Sequence, residues 1–122
     1  MRFSVSRSAE LCLLVFAETA VGVDIERLPG LDLVTDVGET LHPLERAELA
    51  SCPSAQRPAA FARVWTRKEA YLKGRGTGLG RALHLDYLGT SERGACPVPG
   101  WVVSDVAVDA GYAAAVAVAE RN

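Results

Sequence analysis

The sequence predicts an α+β domain, an antiparallel sheet packed against one long helix. Two observations carry that expectation. Short β-like runs sit at both ends of the chain: RFSVS, LCLLVFA and VGVDIE near the start, WVVSDVAV and YAAAVAVA near the end. Between them, Phe61, Val64, Trp65 and Leu72 recur at helical spacing, marking the buried stripe of a helix that runs into a glycine-rich loop.

Taken in order, Arg2 to Ser6 alternates, with Phe3 and Val5 on one face of a first strand. Ser6, Arg7 and Ser8 break the pattern. Leu11 to Ala17 is a continuous apolar run, which fits a strand buried on both faces. Val21 to Glu26 resumes strand character, and the three together read as a small meander. Within VGVDIE, Val23 and Ile25 share one face and Asp24 and Glu26 the other.

Leu28 to Gly38 reads as a loop because it holds Pro29, Gly30 and Gly38. Thr40 is the expected cap of a short helix ending near Ser51. Ser54 is the expected cap of the long helix, Pro58 falls in its first turn, and Gly74 and Gly76 stop it after about Lys73. The loop from Gly74 to Gly80 follows a helix rather than a strand, which removes the dinucleotide and P-loop readings. Leu83 to Tyr87 reads as a short strand and Ser91 to Gly100 as a turn region. Trp101 to Val108 and Tyr112 to Ala119 then form a hairpin across Asp109, Ala110 and Gly111.

At 122 residues the chain, 1–122, is one domain by length. Its 49% hydrophobic and 23% charged residues are those of a globular protein. A net charge of −2 gives no basic field for nucleic acid, so an anionic ligand must be held by local groups. There is no signal-peptide pattern and no apolar run of bilayer length. Cys12, Cys52 and Cys96 lie far apart and outside any C-x-x-C pattern, as free thiols do. The expectation is a cytoplasmic domain without a membrane or nucleic-acid partner.

Chemistry gathers on one strand and one helix. Trp65, Glu69 and Lys73 are each four residues apart and stack along one side of the helix. Asp24, Glu26 and Glu69 supply three carboxylates, hard oxygen ligands of the kind that suit Mg2+. Lys68 and Lys73 flank Glu69, and Arg7 offers a fork suited to phosphate. Trp65 sits in the apolar stripe and reads as core. A plain helix salt bridge and a solvated strand face are the alternatives for each motif alone.

Together the motifs resemble a known signature. VGVDIE followed by WTRKEAYLKGRGTGL resembles the 4′-phosphopantetheinyl transferases of the surfactin-synthetase-activator type, whose pattern is G-[IV]-D-[IV]-E, then W-[ST]-x-K-E-[AS]-x-x-K, then a glycine loop. FSVSRS resembles that family's F-x-[ILV]-S-H-S element, with Arg7 in the histidine's place. Arginine still holds phosphate but does not titrate near neutral pH.

The resemblance implies transfer of the 4′-phosphopantetheine arm of coenzyme A to a serine of an acyl or peptidyl carrier protein. It implies Mg2+ on Asp24, Glu26 and Glu69. It further implies coenzyme contacts from Ser6, Arg7, Lys68 and Lys73, and catalytic roles for Glu69 and Lys73. Such transferases are pseudo-dimers of two similar halves, and this chain resembles the C-terminal half. A homo-oligomer or a complementary domain is therefore expected to complete the site. The alternative is a carrier-binding module without turnover, or a domain of a larger synthase.

Overall fold

The computed structural model describes residues 1–29, 38–76 and 81–121. Strands β1 (Arg2–Ser8), β2 (Leu11–Ala17) and β3 (Val21–Arg27) open the chain. Helix α1 (Pro43–Ser51), a 3-10 turn (Ser54–Gln56) and helix α2 (Arg57–Arg75) follow. Strands β4 (Trp101–Asp105) and β5 (Tyr112–Ala119) close it. The α+β class holds, with antiparallel sheets and one long helix. The centre of the predicted loop after Leu28, and Thr77 to Gly80 of the glycine loop, lie outside the described residues.

The expected meander is only half formed. β1 and β2 pair as a hairpin, but β3 joins a second sheet of order β3-β5-β4, all antiparallel. The reason lies in two serines. Val23 and Ile25 donate their backbone N–H groups to the hydroxyls of Ser4 and Ser6, each at 3.1 Å. Side-chain oxygens thus satisfy the free edge of β3 where a third ladder would have run.

Nor is β2 buried on both faces. It alternates, leaving Cys12, Leu14 and Phe16 outward. On β1, Phe3 and Val5 point the same way, opposite Phe16 and Leu14. Phe3 is 66% exposed and Phe16 59%, so one hairpin face is an apolar surface without cover among the described residues.

The small side chains of β5 explain where the helix lies. Ala117, Ala115 and Ala113 stand opposite Gly22, Asp24 and Glu26. Ala115 and Ala117 pack with Ala70, Tyr71 and Leu72 of α2 in one core cluster. A second cluster joins Phe61 and Val64 of α2 to Leu41 and Leu49, with Trp65 stacked on Phe61 at 5.6 Å. Closest approach is at Gly22, where an added Cβ would sit 2.0 Å from the Ala70 carbonyl oxygen and 2.4 Å from the Gly74 nitrogen. Both are backbone atoms and cannot turn aside. Gly22→Ala is therefore expected to destabilise the fold at or beyond the roughly 1–3 kcal/mol of an overpacked core, read as a lower urea midpoint.

Helix ends depart from expectation in instructive ways. His42, not Thr40, caps α1: its ring nitrogen accepts from Leu44 N–H while Glu45 reaches back to the His42 N–H. The Ser54 position starts a 3-10 turn, and α2 follows from Arg57. At the other end α2 passes through Gly74 to Arg75, and Gly76 closes it with a left-handed φ of 73°.

No strand forms at Leu83 to Tyr87. Buried side chains take two of its carbonyls and the N–H groups of the two residues that follow it. The Lys68 ammonium donates to the Leu83 and Asp86 carbonyls, and Glu45 accepts from Leu88 and Gly89 N–H at 2.7 and 3.0 Å. Strand β4 ends at Asp105, sooner than Val108, though Val106 N–H still reaches the Ala114 carbonyl. Among the described residues no helix is long and apolar enough to cross a membrane.

Candidate active site

The alternation of VGVDIE decides which way its carboxylates face. Gly22 lies against α2, so Asp24 and Glu26, two and four residues on, project toward the helix side of the sheet. Asp24 is 3% exposed, which removes the reading of a solvated outer face. From the helix, Lys73 donates to the Val23 carbonyl at 3.0 Å and to Asp24 Oδ1 at 3.2 Å. From β1, the Ser6 hydroxyl lies 3.3 Å from the same Oδ1. Three elements thus meet on one carboxylate.

Electrostatics mark the same place. Burial, then the charge of Glu26, pushes the Asp24 carboxyl up to about 7, although Lys73 pulls it down. Glu69, half-buried on α2, is also raised, by burial and then by the Asp24 charge, with Lys73 opposing. The carboxylates of strand and helix therefore lie within electrostatic reach of one another. Asp24 Oδ2 is buried and has no hydrogen-bond partner.

These features fit a divalent cation. A buried oxygen donor without a partner, on a carboxyl whose proton affinity burial and the Glu26 charge raise and whose own charge reaches Glu69, is a chemistry that a hard cation relieves. Among the described residues, no three His, Cys, Asp or Glu side chains already converge into a ready metal cage. The cation that does sit on Asp24 is the ammonium of Lys73.

Linkage gives a sign that solution work checks. A folded-state pKa raised from the ordinary 3.8 to about 7 means the folded chain holds an extra proton between those limits. Stability contributed by this group is then greatest at low pH and declines as pH rises toward 7. Without divalent metal, Asp24→Asn is expected to unfold at higher temperature than the parent at neutral pH, with the gap closing as the pH falls toward 4. Thermal unfolding in chelator across that range measures it.

Of the remaining expected residues, Ser6 joins the cluster and Lys68 is engaged elsewhere. Arg7 is exposed on β1, opposite Cys12. Ser6 is buried, and its hydroxyl serves both Ile25 and Asp24. Lys68 is 2% exposed, and its ammonium meets Glu45 Oε1 at 2.7 Å and the Leu83 and Asp86 carbonyls. Three acceptors use its three hydrogens.

Two residues of the site's support escaped sequence reasoning. Arg67, fully buried, forks onto both oxygens of Asp105 at 2.8 and 2.7 Å and donates to the Gly89 and Ser91 carbonyls, tying α2 to β4. Glu45 joins α1 to Lys68 and to the backbone at Leu88 and Gly89. An H-x-x-E capping pattern was the available signal for Glu45, and histidine is not the usual first member.

A family profile described as the 4′-phosphopantetheinyl transferase superfamily matches residues 20–97, which include β3, both helices and the carboxylates. The chain is similar to 4′-phosphopantetheinyl transferase HetI of Nostoc sp., 35% identical over 121 residues, covering 96% of this chain and 51% of HetI. It is also similar to 4′-phosphopantetheinyl transferase AcpT of Salmonella typhimurium, 36% identical over 86 residues, 69% of this chain and 45% of AcpT. With 4′-phosphopantetheinyl transferase gsp of Aneurinibacillus migulanus it shares 30% identity over 79 residues, 65% of this chain and 33% of that protein. The matches span about half the length of the first two relatives or less.

Proposed function

This chain belongs to the 4′-phosphopantetheinyl transferase superfamily, and from that premise we propose that it takes part in moving 4′-phosphopantetheine from coenzyme A to a serine hydroxyl of an acyl or peptidyl carrier protein. The observation that carries the reading is the buried Asp24, with one oxygen unpartnered and Lys73 on the other, facing Glu69 across the strand–helix contact.

Asp24, Glu26 and Glu69 would hold Mg2+. When bound, that ion supplies positive charge against the diphosphate of coenzyme A. Glu69, its proton affinity already raised, accepts the proton of the attacking serine. The serine oxygen bonds to the phosphorus carrying the pantetheine, and the bond from that phosphorus to the bridging oxygen breaks. The electron pair leaves on 3′,5′-adenosine bisphosphate, whose charge the Lys73 ammonium offsets. Arg7, exposed beside the buried Ser6, offers a fork to a coenzyme phosphate. Lys68 has its ammonium engaged and serves instead to hold α1 and the segment from Leu83 to Asp86 against α2.

Completion of the pocket falls to a second copy or a complementary domain. Two observations support that part: the matched relatives are about twice as long, and the hairpin leaves Phe3, Val5, Leu14 and Phe16 exposed together. Light scattering is expected to give a mass above one chain under conditions of full activity. One chain's mass with full activity contradicts it.

The transfer itself is tested by its leaving group. Release of 3′,5′-adenosine bisphosphate, followed by chromatography, is expected only when coenzyme A, Mg2+ and an apo carrier are all present. A folded chain that releases none across several carriers contradicts the transferase reading and favours a carrier-binding module.

A further inference from the structure

Lys73 holds a position that a merely phosphate-binding lysine does not need. Its ammonium gives two hydrogens to the β3 side of the site, to the Val23 carbonyl and Asp24 Oδ1. Yet its side chain is 38% exposed, while that of Asp24 is 5% exposed. One partner is fixed inside the protein; the other is a long flexible stem at the edge, free to swing outward.

A buried carboxylate beside Glu26 and within reach of Glu69 needs a positive neighbour to stay ionised. Lys73 is that neighbour. A dication arriving at the unpartnered Oδ2 would bring its charge close to the ammonium on Oδ1, and like charges at such range repel.

We propose that Lys73 is a resident counter-cation of the β3 carboxylates, which a divalent metal must displace, and that displacement frees its ammonium for the anionic co-substrate. The inference rests on the metal reading given above and deepens it. Metal and lysine compete for Asp24 in the chain alone. Once coenzyme A is present, its diphosphate accepts the displaced lysine, and the competition turns into cooperation between metal and coenzyme. By linkage, each then tightens the other, and Lys73 carries part of that coupling.

The test reads metal binding rather than turnover. Mn2+ is titrated into the chain without oxygen and counted by the free-ion electron paramagnetic resonance signal, at about pH 8 so that proton competition at Asp24 is small. In the absence of coenzyme A, Lys73→Met is expected to bind Mn2+ about tenfold more tightly than the parent. Lys73→Arg, which keeps the charge, is expected to stay closer to the parent than Lys73→Met does. Adding coenzyme A is expected to tighten Mn2+ binding to the parent more than to Lys73→Met. Circular dichroism confirms that each variant is folded.

Equal or weaker Mn2+ binding by folded Lys73→Met, with binding to the parent abolished by Asp24→Asn, overturns the inference and leaves the metal site standing. Absence of Mn2+ binding in every variant overturns the metal reading itself and this inference with it.

Discussion

Glu69→Ala is expected to lower transfer at least about 10³-fold while leaving the fold in place, because one side chain is asked to do two jobs. In the proposed transfer it would accept the serine proton, a role worth roughly 10²–10⁴-fold in general, and would help hold the divalent cation. The residue is half-buried, and its carboxyl sits in a field of Asp24 that raises its proton affinity. Removing it relieves that repulsion, so the unfolding midpoint is expected to hold or rise. Asp24→Ala is expected to cost transfer to a similar degree through the metal alone. Steady-state rates with saturating carrier, set beside urea unfolding of the same preparations, separate lost chemistry from lost fold. A Glu69→Ala chain retaining more than about a tenth of parental activity removes the residue from the mechanism.

Glu45→Ala is expected to damage the fold more than any change at the carboxylate cluster. Glu45 is fully buried, and its oxygens serve His42 N–H, the Lys68 ammonium, Leu88 N–H and Gly89 N–H. Deleting it strands a buried ammonium that is 2% exposed, with only carbonyls for company. Breaking one side of a buried ion pair costs about 3–5 kcal/mol, a large share of the roughly 5–15 kcal/mol that holds a domain together. The double variant Glu45→Met with Lys68→Met leaves no unpaired charge and is expected to recover part of the loss. Denaturant midpoints of the two singles and the double form the cycle that shows it. If Lys68→Met alone lowers transfer while the midpoint holds, Lys68 belongs with the coenzyme contacts after all.

How much of this was legible from the sequence depends on what kind of signal each part leaves. β1, β2, β3 and β5 were readable to within a residue or two, because alternation and apolar runs are local. The long helix was readable because Phe61, Val64 and Leu72 mark a single stripe, and all three are buried. The facing of Asp24 with Glu26 also followed from alternation. Which strands pair did not, because Ser4 and Ser6 close the edge of β3 with hydroxyls, and a serine in an alternating strand reads as an ordinary outward residue. Leu83 to Tyr87 had the composition of a strand and formed none. Lys68 takes its carbonyls at Leu83 and Asp86, Glu45 takes the N–H groups of the two residues just beyond it, and nothing local announces either partner.

The site divides along the same line. Asp24, Glu69 and Lys73 were picked out because strand and helix periods put them on known faces, and the fold brings them together. The glycine of VGVDIE was part of the motif without a reason; the 2.0 Å approach to Ala70 supplies one. Arg67 and Lys68 sit within the helix motif as charged residues that pattern alone places on a solvated or ligand-binding face. Both are buried, and both act as ties between α2 and what surrounds it. Burial of a long cation depends on acceptors gathered by tertiary structure, which no spacing rule contains.

The central claim, that this strand–helix cluster supports phosphopantetheine transfer, is tested most directly by the intact mass of an apo carrier protein after incubation with the purified chain, coenzyme A and Mg2+. The expected result is a gain of one phosphopantetheine on the carrier's serine, lost with chelator and lost with Glu69→Ala. A carrier of unchanged mass, across several carriers and with the chain folded and at its native oligomeric state, contradicts it.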